Sequence, residues 1–176
     1  MVSYEDNLPL KWAPASGSEP AADCGRNRAN LLVLESVAAI EEKPSEHAFE
    51  DCPEIQQELR RLDVKLHVLM EMVARLLREE ESLGPSRPVR IALKTLEFRA
   101  ADGEAAAGQS GTVSLQLHSG VPTPLVMNGQ VVEELERDGE RWVRFEPDRL
   151  SEPLRDALSR HVFRHHRRQV AASRRE

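Results

Sequence analysis

The sequence predicts an α+β fold in which a small antiparallel β-barrel or sandwich carries an inserted long heptad-repeat helix and a C-terminal helix. Three observations predict it. From Val89 onward, apolar and polar residues alternate in several short segments, as in antiparallel strands with one buried face. Between Ile55 and Leu77 there is no glycine, proline, serine, threonine or asparagine, which indicates one uninterrupted helix. After Ser151, apolar residues recur at helical spacing up to a basic C-terminus.

Composition and charge exclude some classes of function. The 176 residues suit one domain, or one domain with a substantial appendage, and 40% hydrophobic with 31% charged residues is typical of a folded protein. Aromatic residues make up only 4% and the net charge is −6, so neither a stacking platform for single strands nor a general attraction to phosphate backbones is expected. We therefore expect no nucleic-acid partner. The positive charge is local, with seven arginines between Arg155 and Glu176.

The sequence favours a cytoplasmic protein without membrane insertion. Cys24 and Cys52 are too few and too far apart for a zinc site or a secreted disulfide framework, so we interpret both as reduced thiols. The N-terminal MVSYEDNLPLKW has acidic residues where a signal peptide needs basic ones. The longest apolar stretch, LLVLESVAAI at 31–40, is too short to span a bilayer.

Changes of pattern divide the chain into four parts. They are an N-terminal barrel strand and loop (1–23), a helical insertion with a coiled-coil oligomerisation helix at 52–83 (24–83), the main barrel strands (87–149), and a C-terminal helix with a basic tail (151–176). Leu8, Leu10 and Trp12 alternate in the first part, which predicts a short strand. Ser151 is the expected N-cap of the last helix. We expect Val162 and Phe163 to be packed and the helix arginines to be exposed.

The main strands are predicted from segments of period two. VRIALKTLEF at 89–98 alternates through Val89, Ile91 and Leu93 and then shifts by one place, which we interpret as a strand with a β-bulge. TVSLQLH follows, and PLVMNGQVVEEL and RWVRFE flank Asp138-Gly139, a strong hairpin signal.

The long helix carries a strict heptad seam. Asp51 and Glu54 form a capping-box pattern at its start, and Gly84 and Pro85 follow its end. The seam residues, spaced alternately by four and three, are Ile55, Leu59, Leu62, Leu66, Leu69, Val73 and Leu76. An amphipathic helix lying on its own domain would show a similar stripe. Self-association is favoured because the 3.5-residue period persists and because Met70, Met72 and Leu77 widen the stripe toward bundles of more than two helices.

The order of these elements and the closing segment VRFEPDRLSEPLRDALSRHVFRHHRR at 143–168 resemble the PilZ domain. With a long heptad helix ahead of the main strands, the chain is similar to the atypical, tetrameric branch of that family, from Leu8 to about Ala172. The resemblance implies a PilZ-like barrel, a homotetramer held by a four-helix coiled coil, and a connection with the bacterial second messenger cyclic di-GMP. A parallel bundle is expected, because like residues then stack in each layer.

The resemblance also implies a ligand site that this sequence lacks. PilZ domains typically bind cyclic di-GMP with R-x-x-x-R and D/N-x-S-x-x-G motifs. Here Arg26 and Arg28 are only two positions apart, and residues 90, 92 and 95 are arginine, alanine and threonine where the second motif would place Asp or Asn, Ser and Gly. We therefore expect weak or absent binding of cyclic di-GMP and no cofactor.

Other candidate sites are weaker. R-x-x-x-R spacing occurs at Arg137/Arg141 and along the last helix, at Arg160, Arg164 and Arg168. We expect those three to form a solvated helix end, with an anion or nucleotide site as the alternative.

His161 and His165 could chelate a metal, but the sequence shows no third ligand, so no metal site is predicted. GQSG at 108–111 lacks the final glycine and the strand-to-helix context of a nucleophile elbow. An enzyme is not expected.

The sequence therefore predicts a non-catalytic, oligomeric signalling adaptor that acts through contacts with unidentified signalling proteins. The alternative is a direct cyclic di-GMP receptor that uses arginines in non-standard places.

Overall fold

The computed structural model describes residues 2–15, 23–42, 53–80 and 84–174. Six strands and three helices occur in these ranges. In chain order they are β1 (Ser3–Pro14), α1 (Asp23–Glu41), α2 (Pro53–Glu80), β2 (Ser86–Ala92), β3 (Leu96–Arg99), β4 (Ser110–Leu115), β5 (Leu125–Arg137), β6 (Glu140–Pro147) and α3 (Glu152–Ser173). The predicted α+β class, with a small barrel, a long helix ahead of the main strands and a C-terminal helix, is confirmed.

The strands form a closed antiparallel barrel in the order β1-β2-β3-β6-β5-β4. β1 closes it by pairing with two neighbours: Ser3–Pro9 pair with β2 and Leu10–Pro14 pair with β4. In the closed barrel each strand pairs with a neighbouring strand on both sides. β1 is longer than the Leu8–Trp12 alternation predicts, because Tyr4 also points into the core.

Alternation fills the barrel interior with apolar side chains. The fully buried ones are Leu10, Val89, Phe98, Val113, Leu115, Val131, Val143 and Phe145. The predicted Asp138-Gly139 hairpin joins β5 and β6, and both residues have positive φ, 52° and 76°. Such angles favour glycine and are tolerated by aspartate, which explains this dipeptide at a two-residue turn.

The prediction of one bulged strand at 89–98 is wrong. The chain reverses between Ala92 and Leu96, and β2 and β3 pair with Val89 opposite Phe98. The amide of Ala92 donates a hydrogen bond to the carbonyl of Thr95 across the turn. The shift in alternation therefore marks a hairpin that returns the apolar side chains of both strands to the same interior.

Helices α1 and α3 pack on each other and on the barrel. α1 contributes Val33, Leu34 and Val37 to the core, and α3 contributes Leu154, Ala157, Leu158, His161 and Val162. Ser151 occupies the predicted N-cap position, but its side chain makes no capping hydrogen bond. Val162 is packed as expected. The expectation for Phe163 is wrong, since 44% of it is exposed on the outer face of α3.

Helix α2 differs from the rest of the chain. In the described ranges it makes no extensive contact with another element, and none of its residues belongs to the barrel core. The predicted cap at Asp51 lies outside the described residues. None of the helices in the described ranges combines the length and hydrophobicity needed to cross a membrane.

Candidate functional site

The first candidate site is the apolar seam of α2. Six of the seven predicted seam residues have described side chains, and all six are between 45% and 58% exposed: Ile55, Leu59, Leu62, Leu66, Leu69 and Val73. The side chain of Leu76 lies outside the described part of the chain. Their spacing keeps them on one face of α2, and Met72, 57% exposed, widens that face. A continuous exposed apolar strip of this kind is typical of an association surface.

The second candidate is a polar group between β1, α1 and α3, which we call the Glu41 cluster: Tyr4, Glu41, His161, Arg164, His165 and Arg168. The four α3 residues recur every three or four positions, so they share one helix face. Glu41, near the end of α1, faces them. Its Oε1 lies 2.8 Å from Nε2 of His165, and its Oε2 lies 3.3 Å from Nη1 of both Arg164 and Arg168.

Tyr4 and His161 form the buried side of the Glu41 cluster. The Tyr4 hydroxyl and Nε2 of His161 are 2.6 Å apart, and the Tyr4 ring stacks on His165 at 4.5 Å between centroids. Nδ1 of His161 is buried and has no hydrogen-bond partner within the described ranges. The cluster thus connects β1 to α1 and α3 through side-chain contacts, within the unit of six strands, α1 and α3 that we call the barrel body.

Burial and charge set the protonation states in the cluster. Burial, with the nearby charges of His165, Arg164 and Arg168, lowers the pKa of His161 from 6.5 to about 4, so this imidazole is neutral at pH 7. Burial acts to raise the pKa of Glu41, but its interactions with His165, Arg164 and Arg168 outweigh it and lower that pKa. Burial, and then the charges of Asp6 and Glu41, raise the pKa of Tyr4 far above its usual value.

The three arginines of the candidate anion site on α3 have different surroundings in the structure. Arg164 and Arg168 pair with Glu41 and so are not wholly solvated, contrary to expectation. Arg160 is exposed and lines a small cleft with Leu34, Glu35 and Ala38 of α1. The three residues therefore do not present three free guanidinium groups to an anion.

The comparisons with known proteins identify the family. A family model described as an atypical PilZ domain, cyclic di-GMP receptor, matches residues 34–175. The chain belongs to the atypical PilZ domain family. No curated protein matches it.

A solved structure shares the fold. It is a pathogenic protein from Xanthomonas campestris, described as a new tetrameric PilZ domain self-assembled via an unusual helical bundle. The two chains are 24% identical with a TM-score of 0.71, and the match covers 97% of this chain and 91% of the other. The Xanthomonas protein therefore supports the fold assigned here.

The residues compared above with the usual ligand motifs of PilZ domains lie in β2, the β2–β3 turn and α1. Arg90 on β2 donates a hydrogen bond to Oγ of Ser3 at 3.0 Å. Ala92 is buried, and Thr95 lies in the β2–β3 turn. Arg26 and Arg28 lie on α1, where Arg28 is exposed.

The Arg137/Arg141 pair is also engaged within the barrel. Arg137 pairs with the buried carboxylate of Glu97 and stacks on Trp142, with 5.1 Å to the ring centroid. Arg141 pairs with Glu134 at 2.9 Å and donates to the carbonyl of Ala101 at 2.8 Å. An anion at either arginine would have to displace protein partners.

Sequence reasoning missed Tyr4 and Glu41 as members of a site. A partial signal for Tyr4 existed, because Val2 and Tyr4 share the even-numbered positions of Leu8, Leu10 and Trp12, although Asp6 interrupts the series. Glu41 had no comparable signal. It precedes Glu42 at a helix end, and only the packing of α1 against α3 shows which carboxylate faces the histidines.

Proposed function

We propose that this PilZ domain is a non-catalytic, self-assembling adaptor in cyclic di-GMP signalling, with α2 as its assembly element. The exposed heptad seam of α2 is the observation that carries the proposal. In this view the barrel with α1 and α3 is the unit that meets signalling proteins, and the α2 helices hold copies of that unit together.

Energetics supports association through the seam. Burying one leucine or isoleucine side chain stabilises an assembly by roughly 1.5–3 kcal/mol. Each protomer carries five such side chains and Val73 half-exposed at heptad spacing, so bundling recovers far more apolar burial than α2 finds against the other described parts of its chain. Most of the stability of a helix in a protein comes from packing of its amphipathic face, which adds a reason for α2 to pack against copies of itself.

A homotetramer is the assembly we propose. Met70 and Met72 extend the seam toward the e and g positions, and wide faces favour bundles of more than two helices. The Xanthomonas relative is described as a tetramer assembled through a helical bundle, which supports the same number here. A parallel arrangement places the same residue of each protomer in the same layer.

Sedimentation velocity of the parent and two matched variants tests the assembly. Leu66→Glu adds a charge to each protomer at the centre of the seam, where Lys65 is the nearest seam-side cation, and we expect it to dissociate the tetramer at micromolar concentration. Val64→Glu is the control. Val64 is 63% exposed, and its heptad position faces away from the seam, so this variant should remain tetrameric. A monomeric parent, or a tetrameric Leu66→Glu protein, contradicts the proposal.

An adaptor that acts through protein contacts needs no strong nucleotide site. The positions of the usual motifs are held by Arg90, Ala92 and Thr95, and the arginines of the R-x-x-x-R pairs are largely engaged by glutamates. Each charge-assisted hydrogen bond that is lost removes about 1.5–3 kcal/mol of possible binding energy. We therefore propose that cyclic di-GMP binds weakly or not at all.

The second candidate function is a direct cyclic di-GMP receptor. The family description and the exposed guanidinium of Arg160 favour it. Isothermal calorimetry with cyclic di-GMP separates the two functions, with Arg160→Ala as the variant and the exposed Arg155, five residues earlier on α3, changed to alanine as the control. A micromolar or tighter dissociation constant that only Arg160→Ala weakens would establish the receptor. Absence of heat at high micromolar ligand supports the adaptor.

A further inference from the structure

We propose that Glu41, His161 and His165 form a binding site for one transition-metal ion of the Zn²⁺ class, which bridges α1 and α3. One ring nitrogen of each histidine and one carboxylate oxygen of Glu41 all lie within 4.8 Å of one another. The sequence shows only the two histidines, four residues apart on α3, and the fold supplies the third ligand from α1.

The spacing is close to that of a tetrahedral site. Ligand atoms about 2.0–2.1 Å from zinc lie roughly 3.4 Å from one another, and two histidines with one glutamate are a known zinc ligand set. His165 and Glu41 already touch at 2.8 Å, so they separate slightly while His161 approaches. The two histidines are four residues apart on α3, a spacing at which both side chains can reach one ion. The fourth position is left to water.

The surroundings orient the ligands as outer partners of metal sites do. Arg164 and Arg168 hold Oε2 of Glu41 and leave Oε1 toward His165. The Tyr4 hydroxyl holds one nitrogen of His161, while the other is buried without a partner among the described residues. Hydrogen bonds of this kind fix the ring and carboxylate orientations that a metal needs.

Ligand chemistry selects the class of ion. Two imidazoles and one carboxylate suit Zn²⁺, Cu²⁺ and Ni²⁺, whereas Mg²⁺ and Ca²⁺ prefer sites made of oxygen ligands alone. Binding of the ion at Nε2 of His165 replaces the hydrogen bond between that nitrogen and Oε1 of Glu41. The two arginines oppose a dication, so we expect affinity in the micromolar range. The ion would tie α1 to α3 and stabilise the barrel body independently of α2.

Calorimetry on untagged full-length protein, dialysed against a chelator, tests the site. We expect one Zn²⁺ per chain, no heat with Mg²⁺, and the intense visible absorption of four-coordinate Co²⁺. His165→Gln and Glu41→Gln should each weaken Zn²⁺ binding by about tenfold or more. His166→Gln is the matched control: its Nδ1 lies 2.7 Å from the carbonyl oxygen of Ser3, outside the ligand set, so it should bind like the parent.

Three results would overturn the site: no Zn²⁺ binding by the parent at 100-fold molar excess, parent-like binding by His165→Gln, or equal losses in His165→Gln and His166→Gln. If the ligand variants fail to fold, the parent decides alone, because Co²⁺ without the four-coordinate spectrum contradicts the proposed geometry. The oligomeric state of the protein has no part in these measurements, so the metal site and the assembly proposal succeed or fail separately.

Discussion

Two regions of the molecule contain equally regular apolar patterns: the barrel body, made of the six strands with α1 and α3, and helix α2. The apolar side chains of the barrel body are buried, whereas those of α2 are exposed. In the body, Phe98, Val131 and Phe145 are fully buried by other parts of the same chain. In α2, Leu66 and Leu69 are more than half exposed. The difference shows that hydrophobic periodicity identifies a face that needs cover, but not whether the cover comes from the same chain or from another copy.

The largest expected effect is on the free energy of unfolding, when the same leucine-to-alanine truncation is made in the barrel and in α2. Leu115→Ala removes a fully buried side chain from the barrel and should lower the free energy of unfolding by about 2–5 kcal/mol at any protein concentration. Leu69→Ala makes the same truncation in α2. It should leave barrel stability within about 0.5 kcal/mol of the parent and weaken self-association instead.

The tryptophans allow the two regions to be followed separately. Trp12 in β1 and Trp142 in β6 are the only tryptophans, and both are buried in the barrel body. Their fluorescence in urea reports barrel unfolding, while sedimentation reports association. A Leu69→Ala variant that loses barrel stability as strongly as Leu115→Ala would place α2 in the core of its own chain and remove the distinction.

Much of the body follows from the sequence because its signals are local. Strand alternation and the Asp138-Gly139 turn depend on residues close in sequence, and the structure confirms them. Single-sequence reasoning failed where two local arrangements share one pattern. A bulge and a hairpin both shift the alternation after Leu93, and only pairing of Val89 with Phe98 separates them.

The two candidate sites also differ in how far the sequence predicts them. The α2 seam is periodic, so sequence alone proposed its members. The Glu41 cluster joins residues from β1, α1 and α3, and no spacing rule connects Tyr4 or Glu41 to His161. A site assembled by packing becomes visible only after the packing is known.

The second expected effect, of intermediate size, is a loss of stability of the barrel body at low pH. His161 is faced by Tyr4 from β1, Glu41 from α1, and Arg164, His165 and Arg168 from α3. Its pKa is about 4 in the folded protein and 6.5 ordinarily, so the unfolded chain binds the proton more readily. The stability that His161 contributes is present above pH 6.5 and is lost as the pH falls toward 4, by roughly 3 kcal/mol.

Urea unfolding of chelator-treated protein between pH 7.5 and 4, followed by tryptophan fluorescence, measures this loss. His161→Gln should flatten the slope between pH 6.5 and 4, and His166→Gln should keep it. A His161→Gln protein with the parent's pH dependence would assign the acid sensitivity to other groups. If the acid loss appeared in assembly but not in barrel unfolding, the sensitive group would lie in α2.

The smallest effects are expected at two neighbouring residues of α3, where the contrast between covered and uncovered apolar side chains is repeated. Val162 is fully buried, so Val162→Ala should lower the free energy of unfolding by about 1–2 kcal/mol through the lost methyl groups and the space they leave.

Phe163→Ala removes a larger side chain, yet 44% of it is exposed on the outer face of the helix. We expect a loss of about 1 kcal/mol there, no more than for Val162→Ala, because nearly half of the Phe163 surface stays in contact with water after folding. Thermal and urea unfolding at two protein concentrations check both variants. If Phe163→Ala proves costly only at the higher concentration, the ring is covered by another copy of the chain and the association surface extends beyond α2 to α3.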